Sequence, residues 1–246
     1  MLLAINIGNT NIHLGVFKGN VMLRKYTFPL KTRGISAQLE KMAARYAIDC
    51  AIVCSVVPGA TARLEATLKK TLKKNPYIVG RTIVVPLVNL YRKPRQLGQD
   101  RLLNAYAAAK LYGAPAIVVD LGTAVTFDMV SKKGYYAGGM IVPGLGICLE
   151  ALTRNTALLP KIKLAKPREF IGKDTVQSML SGLVYGFAAM ADGLIRKIKE
   201  EIKSDACVIA TGGDSRFLAS YCTQLKIIDQ DLTLKGINIL YNILHR

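Results

Sequence analysis

The segment Ile117-Val118-Val119-Asp120-Leu121-Gly122-Thr123-Ala124-Val125-Thr126-Phe127-Asp128 decides the fold of this chain. Its apolar, mostly β-branched opening predicts a buried strand, and the alternating apolar residues after the turn predict a second strand that returns beside the first. The turn at Gly122 and Thr123 brings backbone N–H groups, a hydroxyl and the Asp120 carboxylate into one small volume. Because such a volume suits a phosphate group with its metal ion, the segment predicts a phosphate site.

A second copy of this pattern occupies residues 3–17. The two copies align in the flanking strands as well as in the turns, at an offset of 114 positions as far as Gly8 and Gly122 and of 113 positions after the inserted Asn9. A repeated hairpin with a polar turn in each half predicts two related lobes whose turns face one another across a cleft. The alternative is a pair of unrelated hairpins with ordinary glycine turns. The matched positions are Asn6 with Asp120, Gly8 with Gly122 and, after an inserted Asn9, Thr10 with Thr123.

Strands and helices alternate along the rest of the chain, which predicts an α/β fold with mixed sheets flanked by helices. The two hairpins are expected to turn at Gly19-Asn20 and at Lys132-Lys133-Gly134. The break at Gly113-Ala114-Pro115 predicts a lobe boundary, with one lobe over 1–113 and the other over 114–246. Helices are expected over 35–46, 62–74, 102–111, 147–153, 175–202 and 234–244, and further strands over 21–28, 49–56, 77–80, 82–85 and 206–210.

The composition is that of a globular protein, with 51% hydrophobic and 20% charged residues. There is no run of 18 uncharged apolar residues, so we expect no membrane span, and we expect no secretory signal before Asn6. The five scattered cysteines are typical of a reduced cytosolic protein and do not have the spacing of a zinc site.

The formal net charge of +18 has three interpretations. It could steer anionic substrates such as nucleotides, or it could bind nucleic acid through the clusters at 69–74 and 92–95. The third interpretation is a set of solvated lysine-rich faces. We favour solvated faces for 69–74, since these lysines lie on the polar side of an amphipathic helix whose inner stripe is Leu64, Leu68 and Leu72.

Asp100 follows a polar loop and stands at or near the start of a predicted helix. An aspartate in that position is most often an N-cap, and sequence reasoning alone favours this role. The functional alternative is that Asp100 and the adjacent Arg101 face a ligand.

Two glycine-rich segments in the second half have open interpretations. Residues 138–146 predict an apolar turn before a helix and match neither the GxxxxGK[ST] nor the GxGxxG phosphate motif. The segment Thr211-Gly212-Gly213-Asp214 allows a close backbone approach, either to a nucleotide or simply in a tight strand-to-helix turn.

The small residues along the predicted helix 175–202 could pack inside the lobe or against a second subunit.

The reactive side chains are limited, because the chain has only two histidines, His13 and His245. Imidazole-based acyl transfer and histidine-rich metal sites therefore have little support. Carboxylates, amides, hydroxyls and cations remain, and these groups fit phosphoryl transfer, which depends on positioning and charge neutralisation.

Five motifs, in this order and spacing, resemble type III pantothenate kinase over nearly the whole chain. The resemblance implies an actin-like fold, of the superfamily that includes sugar kinases and Hsp70-type ATPases, with two ribonuclease-H-like lobes. The motifs are Asn6-Ile7-Gly8-Asn9-Thr10, Gly98-Gln99-Asp100-Arg101, Asp120-Leu121-Gly122-Thr123, Gly138-Gly139 to Pro143-Gly144-Leu145, and Thr211-Gly212-Gly213.

The resemblance implies ATP-dependent phosphorylation of pantothenate to 4'-phosphopantothenate, the first step of coenzyme A biosynthesis. It makes Asp100 the catalytic base that takes the proton from the pantothenate hydroxyl, and Asp120 the ligand of a monovalent cation, K⁺ or NH₄⁺, beside Mg²⁺. It also implies a cytoplasmic homodimer with its active site near the subunit interface. The implied ATP-binding residues are Asn6, Ile7, Gly8, Asn9, Thr10, Asn11, Ile12, His13, Gly122 and Thr123, and the implied pantothenate-binding residues are Tyr91, Gly98, Gln99, Asp100, Arg101 and Thr175, the last reaching the pocket from a partner subunit.

The chain departs from the family pattern at two positions. Asn6 stands where the first motif normally has aspartate, which removes a negative charge that Mg²⁺ would favour. Gln99 replaces a small residue and could narrow the substrate pocket or contact the substrate. Asn6 and the basic charge motivate an alternative, a catalytically weak or silent homologue that senses nucleotides and binds nucleic acid. A third possibility is phosphorylation of a different small alcohol.

Overall fold

The computed structural model describes residues 1–245, and within these residues the chain forms two compact units. Unit 1 contains residues 1–107 together with the C-terminal residues from Asp231, and unit 2 contains residues 108–230.

Within the described residues, unit 1 is built on a five-stranded sheet with the order β3-β2-β1-β4-β5. The first three strands are antiparallel neighbours, while β4 runs parallel to β1 and β5 runs parallel to β4. The strands are β1 (Leu2–Ile7), β2 (Asn11–Lys18), β3 (Val21–Pro29), β4 (Cys50–Ser55) and β5 (Tyr77–Ile78).

Helices cover both faces of this sheet. The apolar residues Leu3, Ile5 and Ile7 alternate along β1 and pack in one core with Leu39 and Leu64 from the helices of one face. The C-terminal helix packs on β1, β2 and β4. The helices are α1 (Ile35–Tyr46), α2 (Pro58–Leu72), α3 (Gln99–Tyr112), which begins in unit 1, and α7 (Leu232–Leu244), with a 3₁₀ turn at Pro94–Gln96.

Unit 2 repeats this arrangement, and its sheet has the order β10-β9-β6-β7-β8 among the described residues. Its core contains Val119 and Leu121 of the central strand with Phe187 and Ile195 of the longest helix. The elements are β6 (Ala116–Leu121), β7 (Ala124–Val130), β8 (Tyr136–Pro143), β9 (Cys207–Thr211), β10 (Ile227–Ile228), α4 (Leu145–Asn155), α5 (Thr175–Glu201) and α6 (Ser215–Ala219).

The predicted internal repeat is confirmed by the strand register. Each central strand is flanked by an antiparallel partner that follows it in sequence and by a parallel partner from later in the chain. Asn6 and Asp120 both occupy the last position but one of their strands. The register places Asn6 opposite His13 and Cys54, and it places Asp120 opposite Thr126 and Thr211.

The predicted lobe boundary is corrected in two respects. The division lies at Ala107 and Ala108, inside α3, rather than at Gly113. The C-terminal segment, which was expected in the second lobe, belongs to unit 1. The reason is that α7 packs on β1, β2 and β4 of the unit 1 sheet. Two contacts with α3 add to this packing: Thr233 donates a 2.7 Å hydrogen bond to the Asn104 carboxamide, and Gly236 lies against Leu103 and Ala107.

Several local predictions also need correction. The strand expected over 82–85 is a single bridge between Val79 and Ile83. The glycine-dense segment from Gly138 is not a turn but most of strand β8, since it pairs with β7 along its length. The helix expected from residue 102 begins at Gln99, and the one expected from residue 62 begins at Pro58, where a proline fits the first helical turn.

Helix α5 is the one described helix that is long and apolar enough to cross a membrane by length and composition. More than half of its apolar window is buried inside the protein, as expected for a core helix of a folded domain. Asp174 caps this helix by accepting a 2.8 Å hydrogen bond from the Gln177 N–H.

Asp192, in the middle of α5, forms hydrogen bonds that connect the loop after α6 to helix α5. Its carboxylate accepts hydrogen bonds from the Thr223 N–H (2.7 Å), the Thr223 hydroxyl (2.6 Å) and the Gln224 N–H (2.9 Å). Burial alone would raise the pKa of Asp192, but these hydrogen bonds, with the charge of Arg196, lower it below its ordinary 3.8.

We expect Asp192→Asn to lower the free energy of unfolding by about 2 kcal/mol at neutral pH, since an amide N–H₂ then faces backbone donors. A carboxylate with a lowered pKa stabilises the fold above its ordinary pKa, and this contribution is lost as the pH falls through the lowered value. The difference between the two proteins should therefore shrink below about pH 3.8. Urea unfolding across this range measures it, and a difference that does not change with pH would contradict the argument.

Candidate active site

The Asp120 turn of unit 2 is a tight connection between β6 and β7. The Gly122 N–H donates a 3.2 Å hydrogen bond to the Ala124 carbonyl, which closes the turn. Asp120 is half-buried at the end of its strand, and Thr123 is exposed at the tip. A Cβ on Gly122 would lie 3.6 Å from Oδ1 of Asp120, so this carboxylate oxygen lies beside the turn backbone.

Two other glycine motifs pack closely against this turn. Gly212, after β9, has φ 91° and lies against the Leu121 carbonyl and Oδ1 of Asp120, so that any side chain there would overlap both. Gly144, before α4, lies equally close to the carbonyls of Gly122 and Thr123 and donates its N–H to the latter at 3.0 Å. Three motifs that are separated in sequence therefore meet around the Asp120 turn.

The close approach at Gly212 is thus made to protein backbone and belongs to a tight strand-to-helix turn. The Asp214 N–H donates to the Leu121 carbonyl at 2.9 Å, and the Ser215 hydroxyl donates to the Gly212 carbonyl at 2.7 Å. Burial raises the pKa of Asp214.

The corresponding turn of unit 1 joins β1 to β2 over residues 8–10. The Gly8 N–H donates to the Asn11 carbonyl at 2.9 Å, and the Leu30 N–H donates to the Thr10 carbonyl at 2.8 Å. Asn9 and Thr10 are exposed, whereas Asn6 is half-buried. The turn therefore exposes backbone and hydroxyl groups to solvent. The segment that follows β3 is hydrogen-bonded to the turn through the Leu30 N–H.

His13 closes the predicted first loop and lies opposite Asn6 in the register. Its Nδ1 lies 3.0 Å from the Thr27 hydroxyl oxygen. Burial and the nearby Lys25 ammonium lower the pKa of His13 below 6.5, against an opposite effect of Asp231. His13 is therefore neutral at physiological pH, and Lys25 supplies the positive charge nearby, paired with Asp231 at 2.5 Å.

Asp100 is the second residue of α3 and is not its N-cap. The helix begins at Gln99, and the Gly98 carbonyl accepts from the Leu102 N–H at 3.2 Å. Oδ1 of Asp100 accepts a 2.8 Å hydrogen bond from the Arg101 N–H and folds back over Gly98. The capping role favoured by the sequence is therefore partial: the carboxylate binds one amide of the first turn, where the helix dipole favours negative charge.

Asp100 also lies near strand β4 of the unit 1 sheet. Its charge contributes, after burial, to raising the pKa of the fully buried Cys54 thiol. Cys54 is the register partner of Asn6 on β4. The structure of unit 1 thus places the Asp100 carboxylate near β4, the strand that pairs with the Asn6 strand.

The other predicted pantothenate residues of unit 1 have distinct environments. Arg101 is 8% exposed, so its charge lies inside the protein next to Asp100. The Gln99 side chain covers the backbone of Gly80, which has φ 80°. Tyr91 is half-buried in the preceding loop, where its N–H donates to the Asn89 carboxamide at 2.9 Å.

Thr175 lies elsewhere, at the start of α5 in unit 2. It is exposed and lines a pocket of about 560 Å³ together with Asp174, Ser178 and Lys173. Its predicted part in a neighbouring subunit's pocket remains a prediction.

The donor groups of both turns can be compared with the needs of ATP and its cations. Within residues 1–245, no group of three or more His, Cys, Asp and Glu side chains is arranged to hold a metal ion. The oxygen groups gathered at the second turn are the Asp120 carboxylate and the neighbouring turn carbonyls.

The cysteines and the basic clusters bring no additional chemistry to the site. All five cysteines, which lie within the described residues, are free, and burial raises the pKa of Cys50 to about 11 and of Cys222 to about 12. Such thiols are unreactive at neutral pH. Lys69, Lys70 and Lys73 are exposed on or beside α2, in agreement with solvated faces.

Sequence reasoning missed one polar group beside the second turn. Thr126 and Asp128, both within the opening segment, form a side-chain hydrogen bond of 2.8 Å on the strand that faces Asp120. Alternate polar residues on a strand that is otherwise buried were the available signal.

Comparison with known proteins agrees with this geometry. The family model of type III pantothenate kinase matches residues 2–197. A type III pantothenate kinase from Halalkalibacterium halodurans is 38% identical over 98% of both chains. Two solved structures share the fold: a Campylobacter jejuni protein assigned to the Baf family of transcriptional activators (TM-score 0.63, 21% identity, 99% and 98% coverage) and a Sinorhizobium meliloti protein described as a 2-dehydro-3-deoxygalactonokinase (TM-score 0.61, 13% identity, 99% and 97% coverage).

The two solved structures establish the actin-like, sugar-kinase type of fold and nothing about substrates. The family match is of another kind, since it spans most of the chain and includes both turns and the start of α3. With this match and the full-length similarity, the chain belongs to the type III pantothenate kinase family.

Proposed function

We propose that the protein transfers a phosphoryl group from ATP to the hydroxyl of pantothenate, giving 4'-phosphopantothenate in the first step of coenzyme A biosynthesis. The observation that supports this most is the carboxylate of Asp100, which the Arg101 N–H anchors at the start of α3 and which lies near Cys54 on the strand beside the Asn6 strand. Family membership supports the choice of substrates.

In this proposal Asp100 accepts the proton of the pantothenate hydroxyl as that oxygen attacks the γ-phosphate. The hydrogen bond from Arg101 fixes the orientation of the carboxylate, so little reorganisation is needed. Arg101 adds a buried positive charge that favours an anionic substrate. Tyr91, Gly98 and Gln99 line the pantothenate pocket.

The phosphate groups are bound by the two turns. Residues 6–13 bind ATP through the amides and hydroxyls of the first turn, and Gly122 and Thr123 bind it through the second. Asp120 holds a monovalent cation, K⁺ or NH₄⁺, and Mg²⁺ accompanies the nucleotide. These ions supply charge neutralisation for the transferred phosphoryl group.

We also propose that the enzyme is a cytoplasmic homodimer, in which Thr175 contributes to the pantothenate pocket of the neighbouring subunit. The exposure of Thr175 in its pocket on α5 supports this role. The small residues on α5 support a subunit contact there. Sedimentation velocity tests the dimer, and a monomer at micromolar concentration would contradict it.

The proposed function is tested by measuring ADP formation with and without pantothenate, in K⁺ and Mg²⁺. Turnover that requires pantothenate, with phosphopantothenate identified by mass spectrometry, is the expected result. Turnover that requires a different alcohol would assign another substrate, while the absence of turnover at millimolar substrates would overturn the proposal. Salt-sensitive binding of nucleic acid without turnover would favour the nucleotide-sensing alternative.

Asn6→Asp is expected to lower the Mg²⁺ concentration needed for half-maximal turnover by about three- to tenfold, because a carboxylate attracts a hard cation more strongly than a carboxamide. Titration of turnover with Mg²⁺ measures this. The matched control is Asn75→Asp, which adds the same charge at an exposed position between α2 and β5 and should leave the titration unchanged. An unchanged titration for Asn6→Asp would show that the missing charge does not limit metal binding.

A further inference from the structure

Asp128 is a buried carboxylate that the proposed reaction does not use. It lies on β7 in unit 2 and is 1% exposed. Oδ1 accepts a 2.7 Å hydrogen bond from the Tyr136 hydroxyl, and Oδ2 accepts a 2.8 Å hydrogen bond from the Thr126 hydroxyl. Burying a carboxylate costs free energy, so its retention inside a strand calls for a function or a strong structural role.

The hydrogen bonds of Asp128 have a fixed direction. The Tyr136 and Thr126 hydroxyls are the donors, and the two carboxylate oxygens of Asp128 are the acceptors. Thr126 has a single hydroxyl proton, and this proton is directed to Asp128. The lone pairs of the Thr126 oxygen therefore remain for an acceptor or ligand role on its other side.

Thr126 lies beside Asp120 on the same face of the unit 2 sheet. Thr126 is the register partner of Asp120 across the β6–β7 pair, so the two side chains share one face of the sheet with Cβ atoms about 5 Å apart. Thr211 is the partner of Asp120 on β9 and is 2% exposed. A row of three oxygen-bearing side chains thus crosses the sheet at the position where the carboxylate meets Gly212.

We propose that Asp128 is a positioning residue for cation binding: it holds the Thr126 proton away from Asp120, so that the Thr126 oxygen and the Asp120 carboxylate both offer lone pairs to one monovalent cation. If the proton turned toward Asp120 instead, it would partly neutralise that carboxylate and occupy the cation's place. This inference rests on the proposed function only in taking Asp120 as the cation ligand.

The substitution Asp128→Asn tests the direction of the hydrogen bond with little change of shape. The introduced amide keeps an oxygen for Tyr136, but its N–H₂ donates to the Thr126 oxygen and turns the hydroxyl proton toward Asp120. Thr126→Val removes the oxygen at nearly constant volume, and Thr126→Ser keeps it.

The readout is the K⁺-dependent rise in melting temperature, with choline chloride holding the ionic strength constant. We expect Asp128→Asn and Thr126→Val each to raise the half-saturating K⁺ concentration at least tenfold, and Thr126→Ser to behave like the unsubstituted protein. The double variant should resemble Thr126→Val alone, since both changes act on one oxygen. The K⁺ dependence of turnover provides a second measurement.

The matched control is the other threonine–aspartate pair of unit 2, Thr223 with Asp192. Asp192→Asn and Thr223→Val should lower the melting temperature without changing the half-saturating K⁺ concentration. If Asp128→Asn behaves like these controls, or if the unsubstituted protein shows no K⁺ dependence, the inference is overturned. If Asp128→Asn fails to fold, the half-saturating K⁺ concentrations of Thr126→Val and Thr126→Ser are compared instead. Equal values for these two variants would overturn the inference.

The proposed function and this inference can fail separately. K⁺-dependent stabilisation that needs Thr126, in a protein without pantothenate-dependent turnover, would remove the proposed substrate and leave the positioning role of Asp128 intact. Turnover with pantothenate that does not change with Thr126 substitutions or with K⁺ would support the proposed substrate and would overturn the positioning role of Asp128.

Discussion

Asp100→Asn is expected to reduce pantothenate-dependent ATP turnover by about 10³-fold, because general-base catalysis typically contributes 10²–10⁴-fold. A carboxamide cannot accept the hydroxyl proton. It can still accept the hydrogen bond from the Arg101 N–H, which holds the group at the start of α3. The KM for ATP should change far less than kcat, since the proposed role concerns proton transfer and not nucleotide binding.

The melting temperature of Asp100→Asn distinguishes a chemical effect from unfolding, and we expect a change of at most a few degrees. Glu65→Gln is a suitable control, because Glu65 is a surface carboxylate of unit 1 that pairs with Arg81 at 2.5 Å. It should retain turnover within about twofold, since surface ion pairs contribute little. Near-full activity of Asp100→Asn would exclude Asp100 as the base.

Gly212→Ala is expected to lower the free energy of unfolding by about 2–3 kcal/mol and to reduce turnover strongly. The backbone at Gly212 has φ 91°, which disfavours any residue with a Cβ. The added methyl group would also overlap the Leu121 carbonyl and Oδ1 of Asp120. The second turn must shift to accommodate it, and the carboxylate proposed to hold the cation moves with it.

Gly213→Ala is the matched control for this prediction. The neighbouring glycine has no positive φ, and a Cβ there would meet nothing within 4 Å. We expect its stability and turnover to stay close to those of the unsubstituted protein. Urea unfolding and steady-state kinetics of both variants measure the contrast, and equal effects at the two positions would refute the close-contact argument.

The sequence was a good guide to features that depend on neighbouring residues. The alternation of apolar residues and the glycine turns predicted both hairpins, because side-chain period and turn chemistry are local properties. The repeat at Asn6 and Asp120 then predicted two related sheets, and the strand order confirms this. Family motifs extended the prediction to the fold type and the kinase family, which the comparisons confirm.

The sequence was a poor guide to features that depend on distant contacts. The C-terminal helix was placed in the second lobe by its position in the chain, whereas its packing on β1, β2 and β4 places it in unit 1. The glycines of 138–143 indicated a turn, yet pairing with β7 makes this segment a strand. In both cases packing overrides the local preference.

The sequence by itself determined the two repeated hairpins, the fold class and the choice of Asp100 and Asp120 as candidate residues, since each depends on local pattern or motif. Only the tertiary structure decided that Gly144 and Gly212 enclose the Asp120 turn and that Asp128 directs the Thr126 proton away from it. These relations depend on strand register and on the close approach of distant backbone segments. The local pattern predicts which strands pair across a turn, but packing between segments that are distant in sequence decides which glycines approach that turn.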